Sequence, residues 1–108
     1  MIEIKVSIEH SYFLDTLDVW MKWEFPFLPR IGESVSPWIW IEQNTFEIEK
    51  LKENLSEEGQ KSLNDWKGEL TSWLYEVGIT ADVVSNLVYF QNKADNTLYV
   101  HLFMQEDK

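Results

Sequence analysis

Two histidines are the side chains of this sequence best suited to acid–base or metal chemistry. His10 and His101 lie 91 positions apart, yet distant strands can be neighbours, and with a carboxylate they would form an acid–base or metal-binding site. His10, however, continues the inward-facing positions of the first predicted strand, where a single histidine is usually packed and hydrogen-bonded. We therefore predict a packing role for His10, and neither a catalytic nor a metal site.

Arg30 is the only arginine of the chain and precedes Glu33 in a turn that contains proline and glycine. Its guanidinium group could hold a carboxylate or phosphate of a ligand through two parallel hydrogen bonds. The alternative is an internal ion pair that fixes the turn. We favour the ion pair because acidic side chains are abundant in the chain.

Six tryptophans make the sequence unusually aromatic. If Trp20, Trp38 and Trp40 were exposed together, they would form a platform for a sugar, a peptide or another subunit. Burial in the core or self-association is the alternative, which we favour because large apolar side chains usually pack against protein. The candidate ligand or partner patch comprises Trp20, Trp38, Trp40, Arg30 and His101.

Composition and charge exclude several classes of function. The chain has no cysteine for disulfides or thiolate-bound metal, and its four glycines form neither a P-loop nor a dinucleotide-binding motif. We therefore predict no cofactor. Nineteen acids against nine bases give a net charge of −10. Because this charge repels phosphate groups, we expect no nucleic-acid or membrane partner, while a basic protein partner is permitted.

The length of the chain, with no linker, internal repeat or low-complexity stretch in its sequence, indicates one domain spanning residues 1–108. Charged residues interrupt the first apolar positions, so no secretory signal is predicted. No apolar run approaches the roughly 18 residues that a membrane-spanning helix needs. These features favour a cytoplasmic protein of bacterial type.

Alternating apolar and polar residues predict the strands that must position these side chains. In residues 1–9 every even position is Ile or Val, which is typical of a half-buried strand. Residues 17–25 alternate in the same way, and we expect the two strands to pair antiparallel. Residues 82–91 and 97–105 flank a polar turn and predict a C-terminal hairpin. In the last strand, aromatic residues including His101 alternate with aliphatic ones, so both faces are expected to be partly covered.

The segment of residues 36–46 has two interpretations. Ser36 and Pro37 could begin a helix, while the apolar residues that follow could form a short buried strand. Periodicity alone leaves both open. A short helix is predicted after this segment.

The next segment predicts one long helix. It starts at Ser56, which is followed by acidic residues in the favourable first turn. An apolar stripe at spacings of three and four residues includes Trp66 and Trp73, which are therefore expected in the core. Gly78 occupies the position at which a helix commonly ends.

Helices grouped between two pairs of strands indicate the α+β class. We predict a four- to five-stranded, strongly bent antiparallel sheet, partly open and barrel-like. It is expected to pack against one long helix and one short helix.

Residues 23–33 read Trp-Glu-Phe-Pro-Phe-Leu-Pro-Arg-Ile-Gly-Glu and precede the C-terminal hairpin. This arrangement resembles a group of small bacterial proteins with an aromatic strand, an L-P-R-x-G-[DE] turn, a variable middle and a C-terminal β-hairpin. The resemblance covers about half of the chain. It implies a fold and carries over no activity, cofactor or catalytic residue.

The leading hypothesis is a non-enzymatic protein-interaction module, either a homodimer or an acidic partner of a basic protein. The alternative is a small-molecule-binding domain or weak enzyme with a pocket between helix and sheet. That alternative requires Trp38, Trp40, His101 or Arg30 to converge on one cavity.

Overall fold

A computed structural model describes residues 2–106, which form four strands and four helices in the order ββααααββ. The strands are β1 (Ile2–Glu9), β2 (Leu17–Trp23), β3 (Val83–Gln91) and β4 (Leu98–Gln105). The helices are α1 (Pro37–Ile41), α2 (Ile48–Glu53), α3 (Glu57–Asp65) and α4 (Leu70–Ile79). The predicted α+β class is confirmed. Within residues 2–106, every helix is too short or too polar to cross a membrane.

The four strands form one mixed sheet in the order β2-β1-β4-β3. β1 pairs antiparallel with β2, and β3 pairs antiparallel with β4, as predicted for the two hairpins. At the centre, however, β1 and β4 are parallel, so the predicted all-antiparallel sheet is wrong there. Four helices between the hairpins carry the chain back to the start of the sheet, and such a long crossover permits parallel pairing.

The predicted fifth strand and barrel-like closure are both absent from the described part of the chain. The segment that could have supplied the extra strand forms α1, which Ser36 and Pro37 begin. Proline suits this first helical position because it has no amide proton to leave unpaired. With four strands, β2 and β3 remain as two separate edges.

The predicted long helix is divided into α3 and α4. At Trp66 the backbone is extended, with φ −75° and ψ 130°, and the indole N–H donates to the carbonyl of Glu69 at 3.1 Å. Gly68 lies within this break, and glycine disfavours a continuous helix because of its backbone entropy. Trp66 is therefore only half-buried, whereas Trp73 lies in the core as predicted.

Gly78 lies inside α4 and not after its end, because it forms a close contact with α1. A Cβ atom at this position would lie 2.7 Å from Pro37 and 3.2 Å from the ring of Trp40. The glycine therefore allows the two helices to approach, and the position predicted from end-of-helix preference was wrong. The helix continues to Ile79.

The core lies between the helices and one face of the sheet. The predicted alternation in β1 is confirmed, since Ile4, Val6 and Ile8 are at most 1% exposed. Each such side chain contributes about 1.5–3 kcal/mol by leaving water. The buried residues of all four helices join the same apolar cluster.

Candidate functional site

The face of the sheet opposite the core, here called the outer face, carries a dense set of aromatic and polar side chains. Cross-strand register determines its members, because paired residues project to the same side. Lys5 of β1 pairs with Trp20 on one side and with His101 on the other, so the three form one row. Within residues 2–106, the outer face comprises Glu3, Lys5, Ser7, Glu9, Asp18, Trp20, Lys22, Val83, Asn86, Val88, Phe90, Tyr99, His101, Phe103 and Gln105.

Five rings of the outer face form an aromatic strip across the sheet. Tyr99 contacts Trp20 edge-on at 5.3 Å and stacks on Phe90 at 5.4 Å, measured between ring centroids. His101 lies 5.8 Å from Phe90 and stacks on Phe103 at 4.0 Å. The exposed fractions of Trp20 and Phe90 are 45% and 38%. The strip therefore presents large rings to solvent while its members hold one another in place.

Ser7 links the aromatic strip to the carboxylate of Asp18 on the same face. Its hydroxyl donates to Asp18 Oδ1 at 2.6 Å, and the same oxygen accepts from the Thr16 hydroxyl at 2.7 Å. His101 Nε2 lies 2.7 Å from Ser7 Oγ. Because the single hydroxyl proton of Ser7 points to Asp18, His101 must donate through Nε2–H.

This proton arrangement gives no activated nucleophile. A histidine that activates serine must accept the hydroxyl proton, whereas His101 donates to the oxygen. Ser7 is also only 4% exposed, so a substrate cannot approach its oxygen. Burial and the nearby Lys5 lower the pKa of His101, and Asp18 partly opposes them, which favours the neutral ring. The three side chains form a closed polar network that fixes the base of the strip.

The outer face differs from the rest of the chain in charge. Its ionised residues are Glu3, Glu9, Asp18, Lys5 and Lys22, three acids and two bases, with a formal charge of −1. The whole chain carries −10. Acidic repulsion is therefore concentrated elsewhere on the molecule.

The remaining members of the predicted patch lie apart from the strip. Trp40 is 1% exposed and belongs to the core, so it is not available to a ligand. Trp38, two positions earlier in α1, is 39% exposed and stacks on Tyr75 of α4 at 4.7 Å. Residues two apart on a helix project in nearly opposite directions, which explains the difference. Of the five predicted patch residues, the structure brings together Trp20 and His101.

Arg30 forms the internal ion pair that we favoured. Its Nε atom lies 3.8 Å from Glu33 Oε1, which also accepts the backbone N–H of Arg30 at 2.6 Å. A backbone bond from Glu33 N–H to Arg30 O at 3.0 Å closes the turn, and Gly32 supplies the positive φ of 92° that the turn requires. The small-molecule alternative required Trp38, Trp40, His101 or Arg30 to converge on one cavity. The structure places these residues apart, so this condition is not met.

His10 has the packing role predicted for it. Its Nδ1 atom accepts the backbone N–H of Tyr12 at 3.0 Å, and its Nε2 atom lies 2.8 Å from Thr80 Oγ1 and 3.3 Å from Glu106 Oε2. Burial lowers the pKa of His10, and the negative charge of Glu106 partly offsets this effect. Because Nδ1 is an acceptor, the neutral ring carries its proton on Nε2. The histidine ties the loop after β1 to the ends of α4 and β4.

A cleft of about 720 Å³ adjoins His10 at this end of the sheet. Its lining includes Glu9, Asp15 and Glu106, and contains none of the rings of the aromatic strip. Among residues 2–106, no group of three or more acidic or histidine side chains has a metal-binding arrangement. The cleft is thus lined by carboxylate groups that are not arranged as a set of metal ligands.

Sequence reasoning missed Ser7, Phe90, Tyr99 and Phe103 as members of the site. A signal was present, because aromatic residues alternate with aliphatic ones along the last strand. Their significance depends on the parallel pairing of β1 with β4, which brings Ser7 beside Phe103. That pairing has no local sequence signature.

Comparison with protein-family models, with curated proteins and with solved structures finds no match to this chain. Function must therefore be inferred from the chemistry of its surfaces. The outer face, with its exposed aromatic strip, a formal charge of only −1 and a fixed polar base, is the candidate functional site.

Proposed function

We propose that this protein is a non-enzymatic protein-interaction module whose contact surface is the outer face of the sheet. One observation carries the proposal: Trp20 and Phe90 remain 45% and 38% exposed within a continuous strip of packed rings. Protein interfaces are enriched in aromatic side chains and depleted of charge at their centres. Exposed apolar patches of this kind commonly mark binding surfaces.

The rigidity of the strip supports this role. The rings project from paired strands, and the bonds of Ser7 to Asp18 and His101 hold the underlying side chains. Side chains that are already ordered lose little conformational entropy when a partner binds. The side chains of the strip are therefore already ordered before a partner binds.

The shape and the chemistry of the face favour a protein over a small molecule. Small-molecule sites are concave and enclose most of their ligand, whereas the strip lies on one side of an open sheet. The cleft near His10 is lined by other residues. The buried Ser7 and the donor role of His101 also argue against acyl-transfer chemistry.

The distribution of charge favours two kinds of partner. The net charge of −10 would accelerate association with a basic protein. The nearly neutral outer face would equally accept an uncharged apolar surface, including that of a second copy. We propose a cytoplasmic location in a bacterium, with which the absence of cysteine is compatible.

The experiment places the photoreactive residue p-benzoyl-phenylalanine at Trp20 in one variant and at Trp38 in another, in living cells. Both tryptophans are similarly exposed, at 45% and 39%, but Trp38 lies on the helical side. After irradiation, we expect a discrete cross-linked protein at position 20 that is weak or missing at position 38. Mass spectrometry identifies the product as a second copy or as another protein. Equal labelling at both positions, or no discrete product at position 20, would contradict the proposal.

A further inference from the structure

Side chains cover part of the edge of the sheet that β2 forms. The amide of Gln43 accepts the backbone N–H of Lys22 at 2.6 Å and donates to the carbonyl of Lys22 at 3.2 Å. Asn44 donates to the carbonyl of Trp20 at 2.9 Å. These bonds imitate those of a further strand and occupy the backbone groups of Lys22 and the carbonyl of Trp20, so another chain cannot pair at this end of β2.

The edge formed by β3 is closed only at its first residues. Val84 donates to the carbonyl of Glu33 at 2.9 Å and accepts from the N–H of Gly32 at 2.8 Å. A register shift then follows between Val84 and Asn86. Beyond this point, the described part of the chain places no strand beside β3.

The direction of the unpaired backbone groups follows from the ladder. Since the groups of Val84 face outward and one extra residue follows, Asn86, Val88 and Phe90 turn their N–H and C=O toward β4. Leu87, Tyr89 and Gln91 consequently turn theirs away from the sheet. Asn86 Oδ1 accepts the N–H of Leu87 at 2.9 Å, which is a weak local cover. The groups of Tyr89 and Gln91 have no such cover.

This open edge lacks the charges that usually protect an edge strand. Soluble proteins place charged residues, especially lysine, or proline there to prevent pairing with a second chain. None of the nine residues of β3 (Val83–Gln91) is charged, although the chain carries −10. Two copies can therefore align these edges without opposing their acidic groups. The exposed fractions of 67% at Tyr89 and 38% at Phe90 provide apolar area for the contact.

We propose that a second copy of this chain pairs with the edge of β3, antiparallel, about a two-fold axis at Tyr89. Tyr89 then pairs with its symmetry mate, and Leu87 pairs with Gln91 of the second copy. The two sheets become one sheet of eight strands, twice the four of a single copy. On the outer face, Val88 of each copy lies beside Phe90 of the other, which joins the two aromatic strips. This interface centres on the backbone edge of β3 and shares only Val88 and Phe90 with the proposed contact surface, so it can fail independently of that surface.

The test is the absolute mass in solution, measured by light scattering over a concentration series. We expect a rise from 12.9 kDa toward about 26 kDa, which is twice the mass of one chain. Tyr89→Lys places two like charges opposite each other at the axis, although it reduces the net acidity of the chain. The concentration of half-dimerisation should rise about tenfold or more.

Leu98→Lys is the matched control, because Leu98 is 71% exposed and lies on β4, one strand inside the open edge, where it makes no pairing with a second copy. It should dimerise like the unmodified chain. If Tyr89→Lys unfolds by circular dichroism, Tyr89→Pro replaces it, since the lost N–H makes no bond to β4. A monomer at every concentration, an unchanged dimer in the Tyr89 variant, or equal loss in the control would overturn the proposal. A monomer that still cross-links another protein at Trp20 would overturn this dimer alone.

Discussion

The Nε2 atom of His101 lies 2.7 Å from the Oγ atom of Ser7, although 94 positions separate the two residues in the sequence. The contact exists because β1 and β4 run parallel at the centre of the sheet. The only hydroxyl proton of Ser7 points to Asp18, so His101 is the donor in this contact. The same contact fixes the base of the aromatic strip, so stability and the proposed binding surface depend on it together.

Removing the hydroxyl of Ser7 should destabilise the fold. Ser7→Ala leaves His101 without its acceptor and removes one donor from Asp18, and Ser7 itself is only 4% exposed. We expect a loss of about 1–3 kcal/mol in the free energy of unfolding, measured with urea. Ser34→Ala, at an exposed position, is the control and should change this quantity by less than about 0.5 kcal/mol. Similar effects of the two substitutions would show that the network contributes nothing.

Stability should fall when the solution becomes mildly acidic. The pKa values of both His10 and His101 lie below the ordinary 6.5, so the folded state binds fewer protons than the unfolded chain in this range. The free energy of unfolding therefore decreases as pH falls through 6.5 toward the folded pKa values. Protonation of His10 at Nδ1 would also break its bond with Tyr12.

Urea midpoints at about pH 7.5 and about pH 5.5 check this expectation. In a variant that carries both His10→Gln and His101→Gln, the decrease should shrink markedly. A decrease of the same size in that variant would assign the pH dependence to other groups.

Gly78→Ala should destabilise the protein even though alanine is the better helix former. The added methyl group would overlap Pro37 at 2.7 Å and press on Trp40 at 3.2 Å. Overpacking of this kind costs about 1–3 kcal/mol, which exceeds the gain of about 1 kcal/mol in helix propensity. Glu76→Ala, on the exposed side of the same helix, is the control. A rise in melting temperature for Gly78→Ala would refute the close contact between α1 and α4.

Two tryptophans should differ strongly in their contribution to stability. Trp40 is 1% exposed, and Trp40→Ala should cost about 3–5 kcal/mol by leaving a cavity. Trp20 is 45% exposed, and Trp20→Ala should cost about 1 kcal/mol, chiefly through its lost contact with Tyr99. Denaturant unfolding of the two variants makes the comparison. A large loss for Trp20→Ala would mean that its ring serves the fold and not a partner.

The sequence alone predicted those features that depend on neighbouring residues. Alternation in β1 predicted the burial of Ile4, Val6 and Ile8, because successive side chains of a strand project to opposite faces. Gly32 was expected in a turn, and it adopts the positive φ that only glycine tolerates easily. The two hairpins and the packing role of His10 were predicted in the same way.

The tertiary structure decided which distant elements meet. Strand partners depend on the path of the whole chain, so the parallel pairing of β1 with β4, and with it the contact of Ser7 with His101, had no local signal. The break at Trp66 likewise depends on two opposing effects. The apolar stripe favours one continuous helix, whereas Gly68 has poor helix propensity, and tertiary packing decides between them. Trp38 and Trp40 look equivalent in the sequence, yet the rotation of α1 exposes one and buries the other. Local periodicity determined which residues face the core, and non-local pairing decided which of the others form a site.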